Sequence, residues 1–445
     1  MAKKKVIIIG AGHAGLSAYE VLARKSDLCQ VTIVSEESHL RYSPTDSSSL
    51  LTDLAGLYPL YGLPLSPFLK AEKVSTGKNA LGEEQAYPAS DCNHLILKKR
   101  AIKIIPREKK VLLEDGTYLS YEALIICTGA RPSPFSAQWQ EAANVFRLQS
   151  QVDVEKVLAV AKDARKAVII GAGAVGIEAA LSLVKQGLEV AVVEKTDQVM
   201  PGYFDSEAGK AIQSLLETKG LRFYLNSTIA NMRQDETGRA CSVFLADGKE
   251  MSCDLVVVAT GVQANTDLVR DSGIEINRGI LVNERMETSC RDIYAAGDVA
   301  EAKGIFPGEK TFLPTLIDAV EQGRIAAMNI LDSNSAPCYQ GGLPLHVLTL
   351  DDNILFSLGA VIKTDQYEVH SYISPERSHY LKLVFDYDRL VGAVGVNFRL
   401  PVGVIRQLIL KKVYLGNYKS CLLEKPWAPD VWISTALARL WQNSH

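Results

Sequence analysis

The chain has 445 residues, which is more than one hydrophobic core usually holds, and this length predicts two or three domains. Its composition, 47% hydrophobic and 22% charged, is that of a globular protein and excludes disordered and collagen-like architectures. The 48 lysines and arginines nearly balance the 51 aspartates and glutamates, and the net charge of -3 disfavours nucleic-acid binding. No two of the eight cysteines form a CxxC pair, so zinc ribbons and iron-sulfur cages lose their ligand spacing and we predict no metal site.

The first predicted element is a strand rather than a secretion signal. The start of the chain is basic, but the apolar run at residues 6–9 is short and ends directly at Gly10. Apolar runs elsewhere, such as residues 255–260, fall far short of the roughly 18 to 20 residues that span a bilayer. We therefore expect no transmembrane segment and a cytoplasmic protein, in which unpaired cysteines are usual.

A glycine-rich turn follows this strand. Gly10, Gly12 and Gly15 form a pattern in which the first glycine allows a tight turn and the second lets backbone N–H groups approach a pyrophosphate. The third lets a helix pack on the strand, and the anion would lie at the positive end of that helix. A second predicted strand at residues 31–34 leads to Glu36, which follows Gly15 at close to the ~20-residue spacing of an acid that binds a ribose diol.

The same pattern recurs in the middle of the chain. Apolar residues 168–170 run into Gly171, Gly173 and Gly176, and Glu194 follows the third glycine at a spacing that is again close to the expected ~20 residues. One such hexapeptide is also compatible with a plain tight turn. Two copies, each with a strand, a helix and an acid, favour two dinucleotide sites.

A β-hairpin is predicted in each copy. The spacing from Asp115 to Thr128 is the same as that from Asp247 to Thr260, and a glycine follows each aspartate. An Asp-Gly pair between apolar runs is a strong signal for a hairpin turn. The hairpin therefore belongs to the repeated unit.

Two nucleotide units followed by a Gly-Asp motif at residues 297–298 resemble the two-dinucleotide flavoproteins, which include the pyridine nucleotide-disulfide reductases and the rubredoxin reductases. The resemblance covers about residues 5–330. It implies an α/β fold with two Rossmann-like, glutathione-reductase-like dinucleotide-binding domains and a C-terminal α+β interface domain. The expected boundaries are 1–143 and 270–331 for an FAD domain, 144–269 for an NAD domain inserted into it, and 336–445 for the interface domain.

The resemblance also implies where FAD binds. The motif at residues 293–298 matches the second FAD fingerprint, in which the aspartate hydrogen-bonds the ribityl chain near the flavin phosphate. Residues 313–315 open a predicted helix at 317–330, whose N-terminus the family points at the flavin pyrimidine edge; a core helix capped by Thr311 or Thr315 is the alternative. The residues expected to bind FAD are Gly10, Gly12, His13, Ala14, Gly15, Ser35, Glu36, Ser43, Pro44, Thr128, Gly129, Ala130, Asp298, Leu313, Pro314 and Thr315.

The second unit is expected to bind NAD(H), with residues 261–265 against the nicotinamide. Glu194 favours NADH over NADPH because a carboxylate repels a 2′-phosphate, although the charge of Lys195 weakens this preference. Glu178 matches the family's glutamate near the nicotinamide and flavin N5, and we interpret it as a positioning residue; a simple partner of the helix dipole is the alternative. The residues expected to bind NAD(H) are Gly171, Gly173, Ala174, Val175, Gly176, Glu194, Lys195 and Gly261.

The thiol chemistry of disulfide reductases is missing from the sequence. Residues 39–50, where those enzymes carry active cysteines, contain none, which argues against a dithiol relay and a Cys-based NADH oxidase or peroxidase. Residues 41–44, with Ser43 and Pro44, instead resemble the flavin-contacting segment of rubredoxin-reductase-like and apoptosis-inducing-factor-like proteins, and residues 45–49 depart from it. Cys127 is interpreted as a buried small hydrophobe. Electrons should therefore leave a bound flavin through a partner protein.

A closer resemblance extends into the C-terminal region. Residues 202–205, 279–288, 323–324, 395–397 and 407–410 are similar to the FAD subunits of phenylglyoxylate dehydrogenase and tungsten aldehyde oxidoreductase complexes. In those complexes the subunit exchanges electrons between NAD and iron-sulfur subunits. The resemblance implies an FAD-dependent NAD(H) oxidoreductase subunit; a stand-alone rubredoxin or ferredoxin reductase and a flavin-bound interaction or sensor protein are the alternatives.

The last hundred residues carry no further nucleotide motif. Alternating apolar residues at 380–385 and 390–395, on either side of an Asp388-Arg389 turn, predict an antiparallel sheet. Residues 397–445 hold seven Lys or Arg against two Asp or Glu, together with Trp427, Trp432 and Trp441. This composition fits a docking surface for an acidic, ferredoxin-like partner, an oligomer interface, or a tail folded onto its own chain. Membrane-surface binding fits less well, because residues 431–441 hold a single arginine.

Overall fold

In the computed structural model the chain forms two compact units. The first is built from the described residues of Met1–Ser43, Ala55–Arg131 and Val262–Gly342, and the second from those of Pro132–Gly261 and Leu343–His445. The chain therefore leaves the first unit and later returns to it. The described residues are 2–37, 75–78, 84–87, 93–135, 139, 142–149, 151–306, 308, 310–350, 353–362, 364–374 and 379–440.

A five-stranded parallel sheet forms the centre of the first unit. Its middle strand, Lys4–Ile9, is buried along the four residues that precede the glycine turn. A parallel strand covered on both faces needs apolar side chains throughout, which explains the unbroken apolar run at residues 6–9. The strand order is Ile293–Ala295, Ala123–Ile126, Lys4–Ile9, Cys29–Val34 and Asn93–Ile96.

Two helices of the first unit pack against each other through small residues. They span His13–Ala23 and Leu316–Leu331. At Gly323, a Cβ atom would lie 2.1 Å from the carbonyl oxygen of Ala14, so only glycine lets the two backbones approach this closely. The second helix confirms the one predicted at residues 317–330.

Shorter sheets complete the first unit. The predicted hairpin turns at Asp115 and Gly116, where the Thr117 N–H donates a hydrogen bond of 3.0 Å to Asp115 Oδ1. Single 3₁₀ turns cover Pro106–Glu108 and Asp267–Val269. The remaining strands are Ser75–Lys78 with Glu84–Tyr87; Ala101–Ile105, Lys110–Leu113 and Tyr118–Ser120; Ile280–Leu281, Ala300–Lys303 and Lys310–Thr311; and Ala130–Pro132 with Val262–Ala264.

The second unit repeats the strand, glycine turn and helix of the first. Its parallel strands lie in the order Val145–Arg147, Leu255–Val258, Lys166–Ile170, Glu189–Val193 and Leu221–Tyr224. Its helices are Gln151–Ala161, Ala174–Lys185 and Ser206–Thr218, and an antiparallel sheet contains Ile229–Gln234, Ala240–Leu245 and Glu250–Ser252. The second predicted hairpin turns at Asp247 and Gly248 within that sheet. The protein therefore has two Rossmann-like folds.

The C-terminal region of the second unit contains the predicted antiparallel sheet. Its strand order is Leu345–Leu350, Asn353–Gly359, Arg389–Val396, Tyr380–Asp386 and Glu368–Ile373. The turn between its two longest-paired strands is formed by Tyr387 and Asp388, one residue earlier than predicted. The helices Val402–Leu410, Tyr418–Glu424 and Pro429–Leu440 follow the sheet, so this region is α+β.

The tryptophans of the C-terminal region have different surroundings. Trp432 is fully buried, and its Nε1 donates a hydrogen bond of 2.8 Å to the carbonyl of Pro426. Of the three alternatives for this tail, Trp432 therefore fits the one in which the tail folds onto its own chain, because this side chain is covered by its own chain. Trp427 is 47% exposed, and Trp441 lies outside the described residues.

One apolar cluster joins the parallel sheet and the C-terminal sheet of the second unit. This shared cluster contains Ile177 and Phe204 from the nucleotide-type fold and Leu355, Tyr380 and Val394 from the C-terminal sheet, all of them buried. The two regions therefore bury apolar surface against each other. The predicted domain boundaries at residues 144–269 and 336–445 stay a prediction.

The described helices are shorter than a transmembrane helix. The longest described helix, Leu316–Leu331, has 16 residues, fewer than the ~20 that a transmembrane helix needs. In the part of the chain that the structure describes, no helix combines the length and the apolar character required to cross a bilayer.

Gly323→Ala should destabilise the protein. The added Cβ meets backbone atoms of Ala14, which cannot rotate away, so we expect a loss of about 1–3 kcal/mol in the free energy of unfolding. Gly403→Ala is the matched control, because the helix Val402–Leu410 leaves open space there and alanine should be neutral or stabilise by up to ~1 kcal/mol. Urea unfolding of both variants measures the difference, and equal stabilities would contradict the close helix contact.

Candidate functional site

The first glycine turn leaves no room for a side chain at two positions and open space at the third. Gly10 has φ of 106°, and a Cβ there would lie 2.0 Å from the carbonyl oxygen of Cys127. A Cβ at Gly15 would lie 2.0 Å from the carbonyl oxygen of Gly10. At Gly12, in contrast, a Cβ would meet no atom within 4 Å. We call this open space in front of the helix His13–Ala23 the first cradle.

The first cradle fits a diphosphate group. Gly12 is the N-cap residue and offers no side chain to the N–H groups of the first helical turn, which also holds no acidic residue. These N–H groups and the positive end of the helix dipole favour an anion. The half-buried His13 and the buried Ala14 form the start of this turn.

The second glycine turn has the same geometry. Gly171 has φ of 107°, and a Cβ at Gly176 would lie 2.0 Å from the Gly171 carbonyl oxygen. At Gly173 the nearest atom to a Cβ would be Cε2 of Tyr203, at 3.9 Å. We call the space at Gly173 the second cradle; it opens the helix Ala174–Lys185, whose first turn holds no acidic residue. The other predicted residues of the second unit are the half-buried Ala174 and Glu178 and the exposed Val175, Lys195 and Gly261.

The predicted ribose-binding acid of the first unit is accessible. Glu36 follows the strand Cys29–Val34 and is exposed, with its Oε2 3.7 Å from Nε of the exposed Arg100. Ser35 beside it is buried, and its Oγ accepts the Glu37 N–H at 3.3 Å. Glu36 therefore has oxygens available for a sugar diol.

The corresponding acid of the second unit is buried. Glu194 is 5% exposed, and its Oε2 accepts the Ala172 N–H of the glycine turn at 2.8 Å. Its Oε1 accepts the N–H and the hydroxyl of Thr196, each at 3.0 Å. Glu194 therefore stabilises the backbone of the turn. Three hydrogen bonds use most of its acceptor capacity, and about one position remains because a carboxylate has about four lone-pair sites.

A buried polar cluster surrounds the N-terminus of the last helix of the first unit. Thr315 is the N-cap residue of this helix, one of the two threonines considered as its cap. Its hydroxyl lies 2.5 Å from Oδ2 of Asp318. Asp318 is 4% exposed and also accepts the hydroxyl of Tyr339 at 2.6 Å. Gln322, one turn further, accepts the Gly297 N–H at 2.9 Å. Leu313 is half-buried and Pro314 exposed.

Sequence reasoning missed Asp318, Gln322 and Tyr339. The available signal was the i, i+4 spacing of two polar residues on a helix face that is otherwise buried and apolar. Nothing local connects Tyr339 to that face, because its partner lies 21 residues away along the chain.

Asp298 lies next to this polar cluster. It is half-buried, and burial together with the charge of Asp318 raises the pKa of its carboxyl to about 6. Within the described residues its carboxylate accepts no hydrogen bond. A half-buried carboxyl group that receives no hydrogen bond from the described residues suits a ligand that carries hydroxyl groups.

Thr128 is tied to the segment expected to face the nicotinamide. Its Oγ1 donates to the carbonyl of Asn265 at 2.9 Å, and Asn265 Nδ2 donates to the carbonyl of Thr128 at 2.8 Å. The Asn265 N–H donates to the carbonyl of Gly129 at 2.9 Å. Residues 128–129 and 265 are thus one rigid element of the first unit, followed by the half-buried Ala130.

Cys127 is a buried side chain, as predicted. Burial raises the pKa of its thiol to about 12, so the group is protonated and unreactive at neutral pH. The predicted residues Ser43 and Pro44 lie outside the described residues. Among the residues that the structure describes, no group of three or more His, Cys, Asp or Glu is placed to hold a metal ion.

The sequence model of the family described as pyridine nucleotide-disulphide oxidoreductase matches residues 4–323. The chain belongs to this family. It is 29% identical over 426 residues to the epsilon subunit of NADH-dependent phenylglyoxylate dehydrogenase from Aromatoleum evansii, covering 95% of this chain and 96% of that protein. It is 27% identical over 409 residues to the rubredoxin-NAD(+) reductase of Pseudomonas putida, covering 89% and 99%. The solved ferredoxin reductase for the CYP199A2 system from Rhodopseudomonas palustris is similar with a TM-score of 0.79 and 26% identity, over 96% of this chain and 100% of that chain.

Membership of the pyridine nucleotide-disulphide oxidoreductase family confirms the predicted fold class, cofactors and class of enzyme. The protein is an FAD-dependent NAD(H) oxidoreductase with two Rossmann-like folds and a C-terminal α+β region. FAD and NAD(H) are its cofactors. The two open cradles fit this pair of dinucleotides on geometric grounds, because each has open space at the start of a helix, where N–H groups point outward and favour a diphosphate.

Asp298→Asn should change how the stability of the flavin-free chain depends on pH. The pKa of Asp298 is about 6 in the folded chain, against a usual value of 3.8, so the folded state binds the proton more tightly than the unfolded state. The free energy of unfolding of the wild type, compared with that of the Asn variant, is therefore highest below about pH 4. This difference falls by on the order of 2 kcal/mol as the pH rises to about 6.

Urea unfolding at a series of pH values between about 4 and 7 tests this prediction. Asp163→Asn, at an exposed position, controls for the loss of one negative charge. A constant stability difference between the wild type and Asp298→Asn across this range would show that burial does not perturb the carboxyl group.

Proposed function

We propose that this oxidoreductase passes electrons between NAD(H) and an iron-sulfur protein as the FAD subunit of a multi-subunit dehydrogenase. The observation that supports this most is the pair of open cradles at Gly12 and Gly173 in a chain whose residues 39–50 contain no cysteine. Without a thiol relay beside the flavin, electrons must pass to another protein or to a small acceptor. A cytoplasmic location is part of the proposal, since the cysteines in the described part of the chain are free.

The first unit would hold FAD. The N–H groups at Gly12, His13 and Ala14 would bind the diphosphate, and Glu36 would accept hydrogen bonds from the adenosine ribose. Asp298 would bind the hydroxyl groups of the ribityl chain. When bound, FAD supplies the chemistry that exchanges a hydride with NAD(H) on one side and single electrons with a partner on the other. The remaining residues proposed for FAD are Gly10, Gly15, Ser35, Ser43, Pro44, Thr128, Gly129, Ala130, Leu313, Pro314 and Thr315.

The helix Leu316–Leu331 carries an acidic residue at its N-terminus, near Thr315. Asp318 lies in the first turn of this helix and is buried, so the positive end of the helix dipole already faces one negative side chain. The hydroxyl donors of Thr315 and Tyr339 stabilise the charge of Asp318. The helix therefore stabilises less negative charge on a bound flavin than its dipole alone would.

The second unit would hold NAD(H). The second cradle would bind the diphosphate through the N–H groups at Gly173, Ala174 and Val175, and Glu194 would bind the adenosine ribose. Glu178 would position the nicotinamide from the helix Ala174–Lys185. The remaining residues proposed for NAD(H) are Gly171, Gly176, Lys195 and Gly261.

The similarity to the phenylglyoxylate dehydrogenase epsilon subunit supports membership of a complex, because it extends over 96% of that subunit and includes the C-terminal region. A second candidate is a stand-alone NADH:rubredoxin or ferredoxin reductase. The rubredoxin-NAD(+) reductase and ferredoxin reductase relatives, matched over 99% and 100% of their lengths, favour it. Purification from the native cell separates the two, since only the complex predicts stable co-elution with iron-sulfur subunits.

NADH should reduce the bound flavin at least about tenfold faster than NADPH, a difference of ~1.4 kcal/mol in activation free energy. The physical reason is repulsion between the Glu194 carboxylate and a 2′-phosphate. Anaerobic stopped-flow measurement of flavin absorbance gives both rates. Glu194→Gln should lower the ratio, and Glu189→Gln, an exposed glutamate at the start of the same strand, should not.

The outcomes of this experiment separate the proposals. Equal rates with NADH and NADPH would contradict the assignment of cofactor preference. No flavin reduction by either nucleotide would contradict the proposed function and favour a flavin-bound interaction or sensor protein.

Charge reversal in the basic C-terminal segment should weaken electron transfer to an acidic partner. The exposed Lys411 and Lys425 lie in the described part of this segment, residues 397–440, and the exposed Trp427 follows them. Lys411→Glu and Lys425→Glu together should slow the NADH-dependent reduction of an acidic [2Fe–2S] ferredoxin about tenfold or more at low salt, because attraction becomes repulsion. Flavin reduction by NADH should stay unchanged.

A matched control is Lys156→Glu, which makes the same charge change at an exposed position of the helix Gln151–Ala161. Rates are measured across a salt series, since attraction between surface charges is screened at high ionic strength. If the control variant slows ferredoxin reduction equally, the C-terminal segment is not the docking surface.

A further inference from the structure

The segment at residues 202–205 lies between the second cradle and the C-terminal sheet. On one side, the ring edge of Tyr203 borders the cradle, 3.9 Å from the place of a Cβ at Gly173. On the other side, the segment contacts three strands of the C-terminal sheet. All of these residues belong to the second unit. The segment therefore transmits the position of the sheet to the edge of the cradle.

The backbone of this segment is held by the C-terminal sheet. Ser357 Oγ donates a hydrogen bond of 2.5 Å to the carbonyl of Tyr203. Phe204 is 1% exposed and is part of the shared cluster. The hydrogen bond from the buried Ser357 hydroxyl and the buried Phe204 ring together leave the backbone of this segment little freedom to move.

An ion pair holds the end of the same segment. Asp205 Oδ2 lies 3.3 Å from Nζ of Lys382 and accepts the hydroxyl of Tyr380 at 3.1 Å. Lys382 is 7% exposed, and its Nζ also donates to the carbonyl of Val361 at 2.8 Å. Asp205 caps the helix Ser206–Thr218 through its other oxygen. Because Lys382 is buried, the Asp205 side chain is only 12% exposed and both groups are hydrogen-bonded, breaking this pair is costly and the contact is persistent.

The ring of Tyr203 has its own partner on the sheet. The His346 ring lies 4.0 Å from it, centroid to centroid, at an interplanar angle of 78°. His346 is in the strand Leu345–Leu350. Burial lowers the pKa of His346 to about 4, so the ring is neutral at pH 7 and packs as an aromatic group.

We propose that His346 is a positioning residue of the NAD(H) site, which fixes the Tyr203 ring beside the second cradle and so makes the C-terminal sheet a determinant of NAD(H) affinity. The inference rests on the proposed function, because the second cradle must hold NAD(H). A ring that is already fixed before binding loses less conformational entropy when the nucleotide arrives. Removing the partner of that ring should therefore weaken binding without touching the diphosphate cradle itself.

The test is NAD⁺ affinity of the full, FAD-loaded chain, measured by difference spectroscopy of the flavin. His346→Ala should raise the Kd for NAD⁺ about three- to tenfold, as expected for loss of an aromatic pair, and His346→Phe should stay within about twofold of the wild type. His346→Leu fills the space without an aromatic ring and should behave like the alanine variant. If His346→Ala does not fold, the comparison of Leu with Phe decides.

Two further variants separate a positioning role from a merely structural one. If His346 acts through Tyr203, the double variant Tyr203→Ala/His346→Ala should bind NAD⁺ no more weakly than Tyr203→Ala alone. His370→Ala is the matched control, a partly exposed histidine on another strand of the same sheet, and should leave the affinity unchanged. Flavin content and melting temperature are recorded for every variant.

The outcomes are distinct from those of the proposed function. Gly173→Glu places a carboxylate in the second cradle and should abolish NAD⁺ binding. If it does so while His346→Ala binds as the wild type, or if the double variant is additive, the role of His346 is overturned and the proposed function stands. If the wild type itself binds no NAD⁺, the proposed function fails.

Discussion

Backbone atoms touch at both glycine turns, and this contact determines where a dinucleotide can lie. Carbonyl oxygens occupy the places that Cβ atoms would need at Gly10, Gly15, Gly171 and Gly176. Strand, turn and helix are therefore held so closely that the N-terminus of each helix faces the end of its sheet. The remaining open space in each turn lies at the middle glycine, where free N–H groups attract an anion. The acids Glu36 and Glu194 come directly after or close behind the second strand of each fold.

The two nucleotide folds differ in how their acidic groups are held. Glu36 is exposed, whereas Glu194 accepts hydrogen bonds from the turn that it serves. Near the end of the first sheet, two hydroxyl groups donate hydrogen bonds to Asp318, and burial, together with the nearby Asp318, raises the pKa of Asp298. The two folds thus provide one accessible acid, one acid that stabilises the backbone of its turn, and one neighbouring pair of acids, of which Asp298 has a raised pKa.

Local patterns in the sequence predicted most of the fold. The apolar runs, the spaced glycines and the Asp-Gly turns each depend on neighbouring residues, and the strands, helices and hairpins appear where those patterns lie. Contacts between residues far apart in the chain could not be read this way. The bond between Asp318 and Tyr339, the burial of Trp432 and the contact of Tyr203 with His346 all depend on how separate elements pack. The contacts proposed for Ser43 and Pro44 stay a prediction, since those residues lie outside the described part of the chain.

The shared cluster of the second unit has a consequence for protein engineering. A C-terminal region exchanged between relatives would bring its own apolar face and its own neighbours for residues 202–205. In a chimera joined at residue 343, a foreign sheet would pack on the native residues 202–205 and the helix Ser206–Thr218. The side-chain volumes in this close-packed core would then not match. Moving the C-terminal sheet between relatives therefore requires moving Tyr203, Phe204 and Asp205 together with it.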